Sequence, residues 1–323
     1  MKALTVDVRQ AAGRVLCSTI FRPGGKKLLG KGHIIRDEDV RLLETEGMQQ
    51  VWVTQLEDGE IAEDDAALAV ASRISQGCLD IKPASGGRVN LFASRDCCIF
   101  VDDDLLRQLN CTSSVVTATR PNFSFLKAGH RAASVKSAPF AVPREQVDAL
   151  VSILNERGPL LCGRAIENPR IAVLYSDPLH ADRARIHFES TTRQRLERLG
   201  QIYTISVDAR EDDALIVQAL ERLLAQRPTL ILVASTTAPA GPEDVIGRAL
   251  HHLGCHIERF LAPVEPGNLL LLGYHNHTPI VSAPACFRSP KPNVLDLILT
   301  PLLSGYRLSG WEIAGLGHGG LLM

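Results

Sequence analysis

The stretch Ile171-Ala172-Val173-Leu174-Tyr175-Ser176-Asp177 decides the fold class, because it is an apolar run that stops abruptly at a polar turn. Such a run reads as a strand buried on both faces. Beyond it the chain keeps a regular rhythm: a helix pattern from Ala181 to Leu199, a strand from Ile202 to Val207, a helix from Asp212 to Ala225, and the apolar strand Thr229 to Ala234. Strands alternating with helices of this length imply parallel βαβ units, so the expected class is α/β with a doubly wound, mostly parallel sheet. In such sheets ligands bind beyond the carboxyl ends of the strands. Here that places Ser176 and Asp177 after the first strand, and the loop Ser235 to Asp244, with Thr236 and Gly241, after the third.

Further along, Glu265-Pro266-Gly267-Asn268 runs into apolar Leu269 to Leu272. A second apolar run, Pro279 to Ala283, leads into Pro284-Ala285-Cys286-Phe287-Arg288-Ser289-Pro290-Lys291-Pro292-Asn293 and then an apolar helix pattern. Two buried strands feeding polar turns at a helix start form a pocket rim. The free backbone N–H groups and the helix dipole at that end attract anions. Arg288, Ser289 and Lys291 add a guanidinium, a hydroxyl and an ammonium, a donor set suited to phosphate. Pro266, Gly267, Asn268 and Asn293 complete the expected binding set, and the sequence points to a phosphate-bearing ligand.

The 323 residues exceed what one hydrophobic core usually serves. The expected division is a mixed α+β domain over 1–160 and the α/β domain over 165–323. In the first half, Asp37 to Gly47 and Asp64 to Ile74 read as helices and Gln50 to Thr54 as a strand. Val89 to Ala93, Cys98 to Val101, Val115 to Thr119 and Ala132 to Val142 are short and β-prone. Arg144 to Arg157 reads as a helix ending at Gly158-Pro159, where the rhythm changes.

A formal net charge of -1 supplies no field for gathering nucleic acid or anionic lipid over the whole surface. No apolar run approaches the roughly 20 residues of a membrane helix, and Met1 to Asp7 lacks a signal-peptide core. A cytoplasmic chain is the expectation. Eight cysteines without a Cys-x-x-Cys pair read as reduced structural thiols.

From Pro169 onward the chain resembles the molybdopterin-binding domain of molybdenum cofactor biosynthesis proteins. The resemblance lies in Pro266-Gly267-Asn268 with Leu269 to Gly273, in Ala283 to Asn293, and in Gly315-Leu316-Gly317-His318-Gly319-Gly320-Leu321-Leu322. The combination is similar to the molybdopterin molybdotransferase subgroup. Gly30 to Ile35, Asp39 to Val53 and Ala62 to Ala67 are similar to the region preceding the pterin domain there. The resemblance implies binding of molybdopterin or its adenylate, with Mg²⁺ and molybdate as further ligands. It also implies pathway proteins or molybdoenzymes as partners, and a homo-oligomer.

The chain departs from the subgroup at two loops. Tyr175-Ser176-Asp177-Pro178 stands where the family has a Thr-Gly-Asp-Glu type signature, and Ser235 to Asp244 stands where a Gly-Gly-Val-Ser-Val-Gly type loop is expected. Asp177 and Asp244 are the carboxylates left where a divalent ion is expected, and they are the candidate catalytic and metal-binding pair. The resemblance leaves two readings open: a transferase-like enzyme that inserts molybdate, and a non-catalytic carrier or sensor that kept the pocket.

Other features read as structure. The arginines at 183, 185, 193, 195 and 198 are spread around a helix as a solvated face. His251, His252, His256, His275 and His277 lack metal-ligand spacing. Gly86-Gly87-Arg88-Val89-Asn90 is an exposed turn in which Arg88 and Asn90 are weak binding candidates.

Overall fold

The computed structural model describes residues 2–179, 182–237 and 239–322, the side chains of 182–184 excepted. The chain forms a mixed α/β structure of two compact units with several sheets, some of them parallel. The first unit holds the chain through Gly163 apart from Asp96–Cys98 and Phe123–Phe125; the second holds those two pieces and the chain from Arg164.

At the start of the first unit, Lys2–Asp7 pairs antiparallel with Gln50–Gln55, and Val15–Leu16 joins the other edge of Gln50–Gln55. Alternation turns Val6, Leu16, Val51 and Val53 inward, where they meet Leu43 of the helix Asp37–Thr45. Next comes helix α1 (Glu63–Ile74), succeeded by strands β1 (Leu79–Ala84), β2 (Arg88–Ala93), β3 (Val115–Thr119) and β4 (Arg131–Ser137). These strands form an antiparallel sheet in the order β3-β4-β2-β1. Val89, Leu91 and Val135 are fully buried on the face that packs on α1. Helix α2 (Arg144–Arg157) packs on α1 in turn.

Two local readings change. Ala132 to Val142 is not one strand but two, Arg131–Ser137 and Ala141–Pro143. Pro139 lacks an N–H, and Phe140 takes a left-handed φ of 72°, so no ladder continues through them. Strand β1 runs on through Lys82 to Ala84, and its edge position tolerates Pro83. A helix at Asp103–Thr112 was not expected; Asp102 caps it by accepting from the Leu105 N–H at 2.9 Å.

The second unit is built on β5 (Ile171–Asp177), α3 (Asp182–Arg198), β6 (Tyr203–Arg210), α4 (Asp213–Leu224), β7 (Leu230–Ser235) and α5 (Val245–His252). It continues through β8 (His256–Phe260), β9 (Leu271–His275), β10 (Thr278–Ser282), α6 (Val294–Leu303) and α7 (Gly310–Gly315). The six strands lie in the order β6-β5-β7-β10-β9-β8. β6, β5, β7 and β10 run parallel, whereas β10-β9-β8 is an antiparallel meander.

Apolarity explains the central strands: every residue of β7 is buried. On one face Ala172, Leu174, Ile231, Val233 and Ile280 pack with Leu220 and Leu223 of α4 and Leu250 of α5. The alternate residues of β5, ending with Tyr175, turn to the other face, and α3 packs on β5. From β5 the chain crosses to β6 on one side and then to β7 on the other. The strand order therefore reverses between β5 and β7, the position beyond whose carboxyl ends α/β sheets bind ligands.

Candidate functional site

Ser176 and Ser235 are register partners at the ends of β5 and β7, on either side of that reversal. The Thr236 N–H donates to the Ser176 carbonyl at 3.0 Å, closing the two turns onto each other. Arg288, in the short 3-10 turn Ala285–Arg288 after β10, donates from its guanidinium to the Thr236 carbonyl and lies 5.8 Å over the Phe188 ring of α3. Ser176, Asp177, Ser235, Thr236 and Arg288 are thus brought together from three loops.

A fourth loop contributes a residue the sequence reading missed. Glu211 directly follows β6; its N–H donates to the Asp177 carbonyl at 3.2 Å, and its carboxylate accepts from the Ser235 hydroxyl at 3.1 Å and from the Thr237 hydroxyl. Its strand was expected to end at Val207 and instead runs to Arg210, which brings Glu211 to the carboxyl edge.

Gly267 is buried with φ at 125°, and a Cβ there would lie 2.8 Å from the backbone nitrogen of Val294, the first residue of α6. Glycine at this position lets the Pro266 turn lie directly on the helix start. The Asn268 carbonyl holds the turn by accepting from Ala262 and Leu270 N–H groups, both at 2.9 Å. Asn293 caps α6, its Oδ1 accepting from the Leu295 N–H at 2.9 Å, while Asp296 accepts from the Asn293 N–H at 2.8 Å. The Nδ2 donor of Asn293 and the hydroxyls of Ser176 and Ser282 are buried without a partner among the described residues.

The reading of the α3 arginines as a solvated face is corrected at Arg195, whose side chain is only 2% exposed. It pairs with Asp296 and donates to the carbonyls of Ser289 at 2.7 Å and Lys291 at 2.8 Å, and its guanidinium lies 5.6 Å over Phe287. A buried charge is tolerated because its planar donors meet a carboxylate and two carbonyls together. The turn is thereby fixed with Lys291 exposed, and the Ser289 hydroxyl accepts from the Lys291 N–H at 3.2 Å. Burial also pushes the Cys286 thiol above its usual range, although Arg195 opposes that shift.

The two candidate metal carboxylates are both engaged by backbone. Asp177 accepts from the Leu179 N–H at 2.6 Å. Asp244 caps α5, one oxygen accepting from Gly247 and the other from Ala240, each at 2.8 Å, and its own N–H donates to the Gly241 carbonyl at 3.2 Å. No hydrogen bond joins Asp177 to Asp244 among the described residues, and no cluster of three or more His, Cys, Asp or Glu there is arranged to hold a metal. His275 ends β9 and His277 sits in the hairpin turn before β10, with Asn276 between them at φ 54°. Arg88 and Asn90 lie on β2 of the first unit.

A family model described as a domain of unknown function matches residues 5–55. No curated protein matches the chain. Among solved structures, a molybdopterin biosynthesis MoeA protein from Pyrococcus horikosii is 12% identical, with a TM-score of 0.34 over 80% of this chain and 81% of that one. A molybdenum cofactor biosynthesis protein from Pyrococcus furiosus is 11% identical, with a TM-score of 0.24 over 95% of this chain and 66% of that one. No helix among the described residues is long and apolar enough to cross a membrane.

Proposed function

We propose that the second unit binds molybdopterin or a nucleotide derivative of it, in the service of molybdenum cofactor biosynthesis. The observation that carries this reading is the convergence of Ser176, Thr236 and Arg288 at the strand-order reversal, where α/β sheets bind their ligands. The exposed Lys291, in the turn before α6, supplies a further donor for the phosphate. In this reading residues 165–323 are a doubly wound molybdopterin-binding domain, and 1–160 are the region preceding it in molybdotransferase-like proteins. The reading extends to a cytoplasmic homo-oligomer that meets pathway proteins or molybdoenzymes.

Molybdate insertion would need a divalent cation at Asp177 and Asp244, neutralising the phosphate or steering the oxyanion. A specific observation favours the carrier or sensor reading instead: each oxygen of Asp244 already accepts a backbone N–H bond, which fixes the carboxylate as a helix cap and leaves it fewer lone pairs for a cation. Calorimetric titration with molybdopterin and its adenylate, with and without Mg²⁺ and molybdate, tests both readings. Binding with turnover supports the transferase, binding without turnover supports the carrier or sensor, and absence of pterin binding overturns the proposal.

A further inference from the structure

The outer face of the β3-β4-β2-β1 sheet carries a groove of about 520 Å³, lined at its rim by Arg88, Arg120, Arg131 and Lys136. Register places Lys136 beside Arg88 at one end, and the Arg120 N–H donates to the Ala132 carbonyl, next to Arg131, at the other. Small side chains form the floor, among them Ala118 and Ser134, which are cross-strand partners.

No carboxylate lines the groove. Lys136 is partly neutralised, since its ammonium lies 3.8 Å from Glu63 and donates to the Gly86 carbonyl. Arg88, Arg120 and Arg131 are exposed and form no ion pair among the described residues. Lys82, on the neighbouring strand, lies over the Phe92 ring, 5.0 Å from its centroid. Three unpaired guanidiniums around one concavity repel one another. In a chain whose formal net charge is -1, their gathering on one sheet face is a local concentration of positive potential.

We infer that this face is a binding site for a phosphorylated small molecule bearing more than one negative charge, separate from the cleft of the second unit. The volume lies within the range of small-ligand sites. Guanidinium forks match phosphate oxygens two at a time, and the small floor residues let an anion approach the sheet. An extended single-stranded nucleic acid fits less well, because the lining itself has no aromatic ring and Phe92, the cross-strand partner of Arg131, is covered by Lys82.

Inorganic pyrophosphate is the probe, titrated calorimetrically at fixed ionic strength into three proteins: the unaltered chain, Arg120→Gln/Arg131→Gln, and Arg288→Ala/Lys291→Ala. Citrate at the same ionic strength is the carboxylate control. The expected result is saturable binding that weakens about tenfold or more in the Arg120/Arg131 variant, persists in the Arg288/Lys291 variant, and exceeds citrate binding about tenfold. Both altered arginines are exposed, so the thermal midpoint should stay within a degree or two of the parent. Absence of saturable pyrophosphate binding, equal affinity in the Arg120/Arg131 variant, or equal affinity for citrate would each overturn the inference. Loss confined to the Arg288/Lys291 variant would assign the phosphate to the other cleft and leave this face without a ligand.

Discussion

Arg195 donates to the Lys291 carbonyl at 2.8 Å across 96 residues of sequence, and the same guanidinium holds the Ser289 carbonyl at 2.7 Å. One buried side chain of α3 therefore sets the path of the turn that presents Lys291 and starts α6. Asp296, which completes the capping box with Asn293, pairs with the same group.

Replacing Arg195 by Leu removes the buried cation facing Asp296 and the donor to two carbonyls, and should destabilise the chain by about 3 kcal/mol. Arg195→Lys should recover only part of that loss, because a single ammonium cannot reproduce the planar fork. Urea unfolding monitored by circular dichroism measures both. A Leu variant as stable as the parent would remove Arg195 from its organising role.

Gly267→Ala should cost about 2 kcal/mol or more, combining a positive φ with a Cβ 2.8 Å from Val294. The control is Gly254→Ala, where φ is 66° and nothing lies within 4 Å of the added carbon. That change should cost about 1 kcal/mol. Equal losses would mean that the contact with α6 contributes nothing.

Asp244 separates cap from metal ligand. Asp244→Ala should lose about 1 kcal/mol of stability. Asp244→Asn keeps one side-chain oxygen for the Gly247 N–H and should stay within about 0.5 kcal/mol of the parent, since Asn is as good a cap as Asp. Unchanged Mg²⁺ dependence of pterin binding in Asp244→Asn fits the cap, whereas its disappearance would assign Asp244 to the metal.

Cysteine reactivity should be graded by burial. Cys255 is buried, and desolvation pushes its thiol up to about 11, so at pH 8 only about one molecule in a thousand carries the thiolate. Cys111 is exposed and should react first with a thiol-specific reagent in the native state. Mass mapping after brief alkylation checks the order, and early modification of Cys255 would contradict its burial.

The parallel strands were legible because β5 and β7 are continuous apolar runs whose burial needs no knowledge of neighbours. Strand β8 was not. His256, Glu258 and Arg259 interrupt its pattern, and it is held at the sheet edge by pairing with β9. In the candidate site, the strand-end positions of Ser176 and Ser235 were legible because position along a strand is enough to give them. Arg195 was misread because an arginine on a helix looks solvated until partners about 100 residues away enclose it. Glu211 escaped notice because its meaning depends on β6 lying beside β5, a fact of topology that local pattern does not contain.

Phosphate-bearing pterin binding at the strand-order reversal of the second unit is open to direct measurement. Calorimetric titration of the parent chain and of Arg288→Ala/Lys291→Ala with molybdopterin, with AMP and ATP as controls, tests it most directly. The expected result is pterin-selective binding that weakens by about 1.5 to 3 kcal/mol for each residue removed. Equal affinity for AMP, or a variant that binds molybdopterin as tightly as the parent, would contradict it.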